Sequence, residues 1–428
     1  MTTISLSSRP GVYELPSYSL TGDLLGYLRC GLQYRYTRLG KMPSRSPVQL
    51  WFGNFIHGVL DEGFRIYDQA IKAKIPPVKA LTDIDPVAVI ATIEKRLAAQ
   101  GLVAWEHWLK TLGYARAQVA LRELAPVLFP LIHRSEVRLT GARELKPLPK
   151  GTSFREADRY EMVGVIDVVT DIELAKPEVA TNPIVKLVQG CLGTVPNHFE
   201  VIIDYKGSRR PSLPPAKATP KHPSLWDQYE WQVLTYADLR GRQPDAHPVK
   251  AGLLLYINEL LPLASDLEEL RKDVRDKKTD VGASEADITN WLQTCRQQRA
   301  AAEVILEAAT TKDDATALKA SATLIPSPIP WSLRLERALR IVPVDDSKTG
   351  RSRIPAALNS FDEVVEWIET CRGKEFHGKS IMSSWDCNSS DESTCAACDA
   401  RTWCPEFAKV HGKGKSPDPL LPAVKERS

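Results

Sequence analysis

One short segment places a carboxylate and an ammonium group together at the end of a largely apolar run. In FEVIIDYK (199–206), Lys206 follows Asp204 by two positions. Because alternate side chains of a β-strand point to the same face, Asp204 and Lys206 would lie side by side. A carboxylate can bind a divalent cation, and an adjacent ammonium can stabilise the negative charge that develops during phosphodiester hydrolysis. The segment therefore offers two of the groups that hydrolysis of a phosphodiester needs.

Two other residues carry groups that suit the same cation. Asp167 ends GVID on a strand expected at 160–170, and His57 lies in GNFIH on a helix expected at 51–71. Two carboxylates are enough for Mg²⁺, which keeps waters and substrate phosphates as further ligands, and an imidazole would also favour Mn²⁺. Each residue alone has a simpler interpretation, since D-x-K pairs occur by chance and a lone histidine in an amphipathic helix is usually structural.

Four short motifs, in this order along the chain, resemble the RecB-like branch of the PD-(D/E)XK nucleases. They are G-x-x-x-H at Gly53 and His57, G-x-I/V-D at Gly164 and Asp167, D-x-K at Asp204 and Lys206, and Q-x-x-x-Y at Gln232 and Tyr236. The resemblance implies an α/β, restriction-endonuclease-like fold, in which a mixed central sheet is flanked by helices.

The same resemblance implies a role for each matched residue. His57, Asp167 and Asp204 would bind Mg²⁺ or Mn²⁺ together with the backbone carbonyl of Tyr205. Lys206 would be the catalytic lysine. The resemblance also places Gln232 and Tyr236, one turn apart on a helix, near the substrate or Lys206.

The cysteines suggest a second metal centre. Of the eight in the chain, three form C-x2-C-x5-C at Cys395, Cys398 and Cys404. A tetrahedral site needs a fourth ligand, for which Cys387 is the nearby candidate and Cys30 the distant one. Thiolates suit both Zn²⁺ and iron–sulfur clusters, so the residues alone leave the metal open.

The resemblance to the RecB-like branch favours iron and sulfur. Members such as AddB and the CRISPR-associated RecB-like exonucleases have one cysteine before the G-x-x-x-H helix and three near the C-terminus, which hold a [4Fe–4S] cluster. This implies a structural cluster on Cys30, Cys395, Cys398 and Cys404, closing a loop of more than 360 residues. The alternative is a Zn²⁺ site in which Cys387 replaces Cys30.

A basic loop after the proposed active strand could contact nucleic acid. Positive charges interleaved with prolines would neutralise backbone phosphates without reading sequence. They belong to Lys206, Arg209, Arg210, Lys217 and Lys221. Three aromatic residues of the following helix, Trp226, Tyr229 and Trp231, could stack on bases of a single strand, although core packing explains at least one of them equally well.

The hydrophobic pattern predicts the elements that position these residues. Helices are expected at 17–40, 51–71, 225–240 and 361–371, with two or three more within 86–133 and a charged helical arm at 262–322. Strands are expected at 136–146, 160–170, 199–206, 249–260 and 338–344, and an extra loop at 173–198. The domains expected are a nuclease core (1–260), a helical insertion (261–330), a return segment with the cysteines (331–410) and a disordered tail (411–428).

Composition narrows the class of protein but does not indicate a partner. The 428 residues are 43% hydrophobic and 25% charged with a net charge of +3, so a nucleic-acid site must rest on local features. No apolar stretch approaches the roughly 20 residues of a membrane helix, and the N-terminus does not resemble a signal peptide. A cytoplasmic protein without a membrane partner is expected.

These observations lead to one expected function and two alternatives. The expectation is a Mg²⁺- or Mn²⁺-dependent deoxyribonuclease, preferring single-stranded or end-containing DNA as an exonuclease, in repair, recombination or defence against foreign DNA. The sequence has no G-x-x-x-x-G-K-[ST] phosphate-binding loop, so a helicase partner would be a separate polypeptide. The alternatives are a catalytically silent subunit that binds DNA or a partner, and a zinc-containing interaction protein.

Overall fold

The computed structural model describes most of the chain. The residues described are 15–42, 49–104, 106–148, 155, 157–213, 223–279, 282–311, 313–388, 394–395, 398–401, 404 and 406–407. The expected tail at 411–428 and the lysines Lys217 and Lys221 of the basic loop lie outside these residues. Among the helices that are described, none combines the length and the apolar character needed to cross a lipid bilayer.

The strands and helices alternate in a mixed α/β arrangement. The strands within the described ranges are Ser17–Ser19 (β1), Ile132–Glu144 (β2), Arg159–Thr170 (β3), Ile172–Glu173 (β4), His198–Lys206 (β5), Val249–Tyr256 (β6) and Leu339–Pro343 (β7). The α-helices are Leu25–Arg29 (α1), Gly31–Tyr34 (α2), Gln49–Lys72 (α3), Pro77–Thr82 (α4), Pro86–Ala99 (α5), His107–Val119 (α6), Ala125–Leu128 (α7), Pro177–Ala180 (α8), Pro183–Leu192 (α9), Leu225–Gly241 (α10), Ala264–Arg275 (α11), Glu285–Ala308 (α12), Asp314–Ser321 (α13), Trp331–Ala338 (α14), Ile354–Phe376 (α15) and Ile381–Ser384 (α16).

Most of the elements expected from the sequence are confirmed, as is the α/β class. The helix expected at 51–71 is α3, and the strand expected at 199–206 is β5. The sheet is mixed, with both parallel and antiparallel neighbours. The domain boundaries expected from the sequence stay a prediction.

Two expectations about secondary structure are wrong. The helix expected at 17–40 begins only after β1, because Ser17–Ser19 pair in parallel with β3, and it is interrupted at Cys30. The segment expected to be an extra loop at 173–198 contains α8 and α9. Both helices begin at a proline, and the Asn182 side chain caps α9 by accepting a hydrogen bond from Ile184 N.

The chain divides into two compact units. The first comprises Met1–Ser44, Leu139–Gly164 and Leu358–Ser428, and the second comprises Arg45–Arg138 and Val165–Ala357. In the second unit, the end of β3 runs antiparallel to β5, with Val168 opposite Ile203. Strand β5 is parallel to β6, and β6 is antiparallel to β7. The strands β3 and β5 therefore bring Asp167 and Asp204 to neighbouring positions.

Helix α10 is held closely against this sheet. A capping box at Ser224 and Asp227 fixes its start, and the buried Trp231 donates a hydrogen bond from Nε1 to Ala357 O at 2.8 Å. A Cβ on Gly252 of β6 would lie only 1.6 Å from Val233 Cγ1, so glycine allows the helix to approach the strand this closely. This contact determines the position of the α10 side chains above β5.

In the first unit, the segments around the cysteines are joined by hydrogen bonds. Leu32 N donates to Asp386 O at 2.8 Å, and Asn388 Nδ2 donates to Arg29 O at 3.1 Å. These two bonds lie on either side of Cys30 in sequence. They hold its turn next to the segment that carries Cys387.

Candidate functional site

The candidate active site lies in the second unit, at the end of β3 and β5. His57, on α3, places Nε2 at 3.1 Å from Tyr205 O and Nδ1 at 3.6 Å from Asp167 Oδ1. The other Asp167 oxygen accepts a hydrogen bond from Tyr205 N at 2.7 Å. An imidazole, a carboxylate and a backbone carbonyl from three segments therefore meet at one point.

Burial changes the protonation of these groups. It lowers the pKa of His57, which favours the neutral imidazole with a free lone pair. It also raises the pKa of Asp167, and the nearby negative charge of Asp204 raises it further. The shift of Asp167 reflects buried carboxylates that lie close together, where a bound cation would be favourable.

Lys206 lies at the centre of a second group of contacts. Its Nζ is 2.5 Å from Asp204 Oδ2, donates to Gln232 Oε1 at 2.8 Å, and lies 4.2 Å from the centre of the Tyr229 ring. The Gln232 amide also donates from Nε2 to Asp204 Oδ1 at 2.9 Å and to the Tyr236 hydroxyl at 3.2 Å. Helix α10 thus fixes the orientation of the lysine and the aspartate together.

Glu136, which the sequence analysis did not single out, joins the site. One donor atom each from His57, Glu136 and Asp167 lies within 4.8 Å of the other two. Glu136 has φ +50°, a strained conformation for a residue with a side chain, and such strain is frequent at functional sites. Its neighbour Ser135 donates a hydrogen bond to Asp61, one turn beyond His57 on α3. The sequence signal that could have indicated Glu136 was its position as an acidic residue at the start of the strand expected at 136–146.

The donor atoms at this point suit a hard or borderline divalent cation. His57 offers a neutral nitrogen, Asp167 and Glu136 offer carboxylate oxygens, and Tyr205 offers a carbonyl. Asp204 lies close enough to influence the pKa of both His57 and Asp167, although in this structure its oxygens contact Lys206 and Gln232. Mg²⁺ and Mn²⁺ both accept such oxygen-rich sets.

The basic loop is only partly available to a ligand. Arg209 forms an ion pair with Asp273 at 2.5 Å. Arg210 is buried, and its Nη1 donates to the carbonyls of Arg337 and Leu339 at 3.0 and 2.8 Å. Both arginines are therefore engaged inside the second unit, and the expectation that the loop neutralises phosphates stays a prediction.

The aromatic residues of α10 also have partners. Trp231 is buried, and the ring of Trp226 faces the Arg340 guanidinium at 3.2 Å. Tyr229 packs its ring against the Lys206 ammonium. For Trp231, core packing is therefore the correct interpretation.

A separate group of cysteines lies in the first unit. One small cavity is lined by Cys30, Cys387, Cys395, Cys398 and Cys404. Cys30 caps α2, where its sulfur accepts from Gln33 N at 3.5 Å. Burial raises the pKa of Cys387 to about 12, with further contributions from Cys404 and Cys30. The four expected ligands are therefore brought together, and Cys387 lies with them.

A larger cavity in the first unit carries no comparable chemistry. Its volume is about 910 Å³. Two ion pairs lie in its wall, Arg35 with Glu375 at 2.5 Å and Arg38 with Asp23 at 2.9 Å. These four charges neutralise one another.

No protein-family model matches the sequence, and no curated protein matches it significantly.

Proposed function

We propose that this chain is a metal-dependent nuclease of the PD-(D/E)XK class, from its RecB-like branch, with a restriction-endonuclease-like fold. The observation that carries the proposal is the meeting of His57, Asp167 and the Tyr205 carbonyl beside the Asp204–Lys206 ion pair. These residues come from three segments that are far apart in the chain. If the D-x-K pair had arisen by chance, a histidine, a second carboxylate and a carbonyl would not be expected beside it.

The donor set fits the cation that the resemblance implies. His57, Asp167, Asp204 and the Tyr205 carbonyl would hold Mg²⁺ or Mn²⁺, and Glu136 is placed to add a carboxylate. When bound, such an ion polarises a phosphoryl oxygen and lowers the pKa of a bound water. The raised pKa of Asp167 supports this assignment, because a cation would supply the positive charge that stabilises neighbouring buried carboxylates.

Lys206 would act on the scissile phosphate. Its ammonium is fixed by Asp204, Gln232 and the face of Tyr229. A preorganised positive charge stabilises the negative charge that develops on phosphate oxygens in the transition state, and the same group can orient the attacking water. Gln232 and Tyr236 would keep this arrangement in place.

The substrate and the pathway follow from the resemblance alone. We expect DNA with single-stranded or free ends, degraded as an exonuclease in repair, recombination or defence against foreign DNA, with any helicase supplied by a separate protein. The cysteines Cys30, Cys395, Cys398 and Cys404 would hold a structural [4Fe–4S] cluster. Their position around one cavity supports this cluster, and it supports a Zn²⁺ site equally well.

A cleavage assay with matched variants tests the activity. Chain purified without oxygen is incubated with end-labelled single- and double-stranded DNA, and with RNA, in Mg²⁺ or Mn²⁺. Lys206→Ala should lose at least about 100-fold in rate, the range for loss of one transition-state donor, and Asp204→Asn, which alters a proposed metal ligand, should lose at least as much. Lys250→Ala, which removes a lysine of β6 paired with Asp345, should cleave normally.

The products separate the possibilities. Mononucleotides or short fragments released from one end indicate an exonuclease, and internal fragments indicate an endonuclease. If the intact chain binds DNA with either metal but leaves it uncut, the nuclease proposal fails. The chain is then a nuclease-like binding subunit.

A further inference from the structure

We propose that Asp171, His198 and His247 form a second site for a divalent transition metal ion, of the class of Zn²⁺, Ni²⁺ and Co²⁺. One donor atom of each side chain lies within 4.8 Å of the other two. His198 Nε2 is 2.5 Å from Asp171 Oδ1, and the His198 and His247 ring centres are 3.6 Å apart. Two imidazoles with one carboxylate form a donor set that selects these ions over Mg²⁺. The proposal is independent of the nuclease proposal.

The three ligands lie on backbone that is already fixed. Asp171 directly follows β3, and its N donates to Leu131 O at 3.1 Å. His198 is the first residue of β5 and pairs with Glu173 of β4. Little rearrangement of the backbone would be needed for these two side chains to bind an ion, which is the condition for a preorganised site.

His247 is held by a buried ion pair. Its backbone N donates to Glu200 Oε1 at 3.1 Å. Glu200 is in turn bound by the buried Arg240 guanidinium at 2.7 Å. This ion pair fixes the turn before β6, so the His247 imidazole is held beside the other two ligands.

A hydrogen bond alone does not account for the whole group. It explains the contact between His198 and Asp171, but not why a His247 donor atom also converges on them. Asp171 and His198 are each a little over one-third exposed, so an ion can enter from solvent. Three protein ligands would leave a position for water, as in open zinc sites.

The site would join both ends of the inserted segment that the sequence predicted as a loop. Asp171 and His198 flank residues 172–197, which contain α8 and α9. An ion bound to both would close this segment at its base and stabilise the folded state. His198 and Asp204 lie six residues apart on β5, which corresponds to roughly 20 Å. The ion would therefore lie outside the catalytic site.

Calorimetric titration of the full-length, untagged chain with Zn²⁺, under anaerobic conditions, tests the site. His247→Gln and Asp171→Asn should each bind one Zn²⁺ fewer than the wild type, or bind it with an affinity more than about 100-fold lower. Loss of a residue that only hydrogen-bonds to a metal ligand lowers the affinity by at most about 100-fold. His57→Gln, which alters the candidate active site, should retain this Zn²⁺ ion. Comparison among variants also cancels any Zn²⁺ bound by the cysteines.

Thermal unfolding provides a second readout. Zn²⁺ should raise the melting temperature of the wild type by more than that of His247→Gln, and circular dichroism without Zn²⁺ should show that the variant is folded. If both variants bind Zn²⁺ with wild-type stoichiometry and affinity, the group is only a hydrogen-bonded pair with a tilted imidazole packed against it. That result would overturn the proposal.

Discussion

Among the individual residues, Gln232 connects the proposed metal ligand with the proposed catalytic lysine. It accepts a hydrogen bond from Lys206 and donates one to Asp204. Gln232→Leu should remove both bonds and release the ammonium from its fixed position. We expect kcat to fall about 10- to 100-fold with little change in KM, somewhat less than for loss of a direct donor to the transition state. Steady-state kinetics of cleavage of a labelled oligonucleotide measure kcat and KM separately.

A neighbouring residue on the same helix gives the control. Gln228 lies one turn before Gln232 and donates to Pro223 O. Gln228→Leu should leave kcat close to that of the wild type. A kcat for Gln232→Leu within twofold of the wild type would contradict the positioning role.

Glu369 makes the stability of the first unit depend on pH. It accepts hydrogen bonds from Tyr18 and Arg372, but burial raises its pKa above the ordinary value. The folded state then binds a proton more tightly than the unfolded state. The free energy of unfolding therefore decreases as pH rises from the ordinary glutamate pKa through the raised one. Glu369→Gln should remove this decrease, as melting temperatures measured from pH 4.5 to 8 would show.

Glu375 provides a control of opposite sign. Its hydrogen bond with Arg35 lowers its pKa, so its contribution is present above the ordinary glutamate pKa and is lost as pH falls through the lowered one. Glu375→Gln should therefore reduce the loss of stability on the acid side, as melting temperatures extended from about pH 4.5 down to about pH 3 would show. An unchanged pH profile for Glu369→Gln would contradict the assignment.

At the scale of the elements, the contact between β6 and α10 determines the active-site geometry. Because a Cβ on Gly252 would overlap with Val233, Gly252→Ala must displace the helix that carries Gln232 and Tyr236. Overpacking of this kind costs about 1–3 kcal/mol. We expect a lower melting temperature and a lower rate of cleavage. Adding Val233→Ala should partly restore both, and a variant with unchanged melting and activity would contradict this role.

The elements with strong local signals were predictable from the sequence. Helix α3 has an apolar face at helical spacing, and β5 is a short apolar run, so both were expected close to their observed bounds. Strand β1 has only three residues, too few for a periodicity to distinguish it from the start of a helix. Helices α8 and α9 carry local signals, Pro177 and Pro183 at their starts and Asn182 as a cap, although a loop was expected there.

Only those residues of the candidate site that lie in sequence motifs were predictable from the sequence. His57, Asp167, Asp204 and Lys206 lie in short motifs, and the structure brings them together. The contribution of Glu136 depends on the hydrogen bond from its neighbour Ser135 to Asp61 of α3, which lies 74 positions earlier in the chain. The buried partners of Arg210 lie more than 120 residues further along the chain. Such pairings arise from tertiary packing, which local patterns do not report.

Across the whole molecule, the proposed cysteine cluster would connect segments that lie more than 360 residues apart in the sequence. Cys30→Ser should lower the bound iron and sulfide of anaerobically purified chain and destabilise the first unit by about 2–5 kcal/mol, similar to the loss of a disulfide that closes a long loop. Cys191→Ser, which changes an exposed cysteine, should do neither. Zinc without iron in the wild type, retained in Cys30→Ser, would favour the site with Cys387 instead.

The internal engagement of Arg209 and Arg210 has a consequence for how the chain would respond to salt. A cation that is already paired inside the protein releases no counterions when a polyanion binds. Each phosphate contact contributes roughly 0.9 to the slope of log affinity against log salt for duplex DNA. Because these two arginines are occupied by Asp273 and by backbone carbonyls, the slope should be smaller by about two than a count of basic residues in this loop suggests. The affinity for DNA at the site would then depend more on the fixed positions of the binding groups than on the release of counterions.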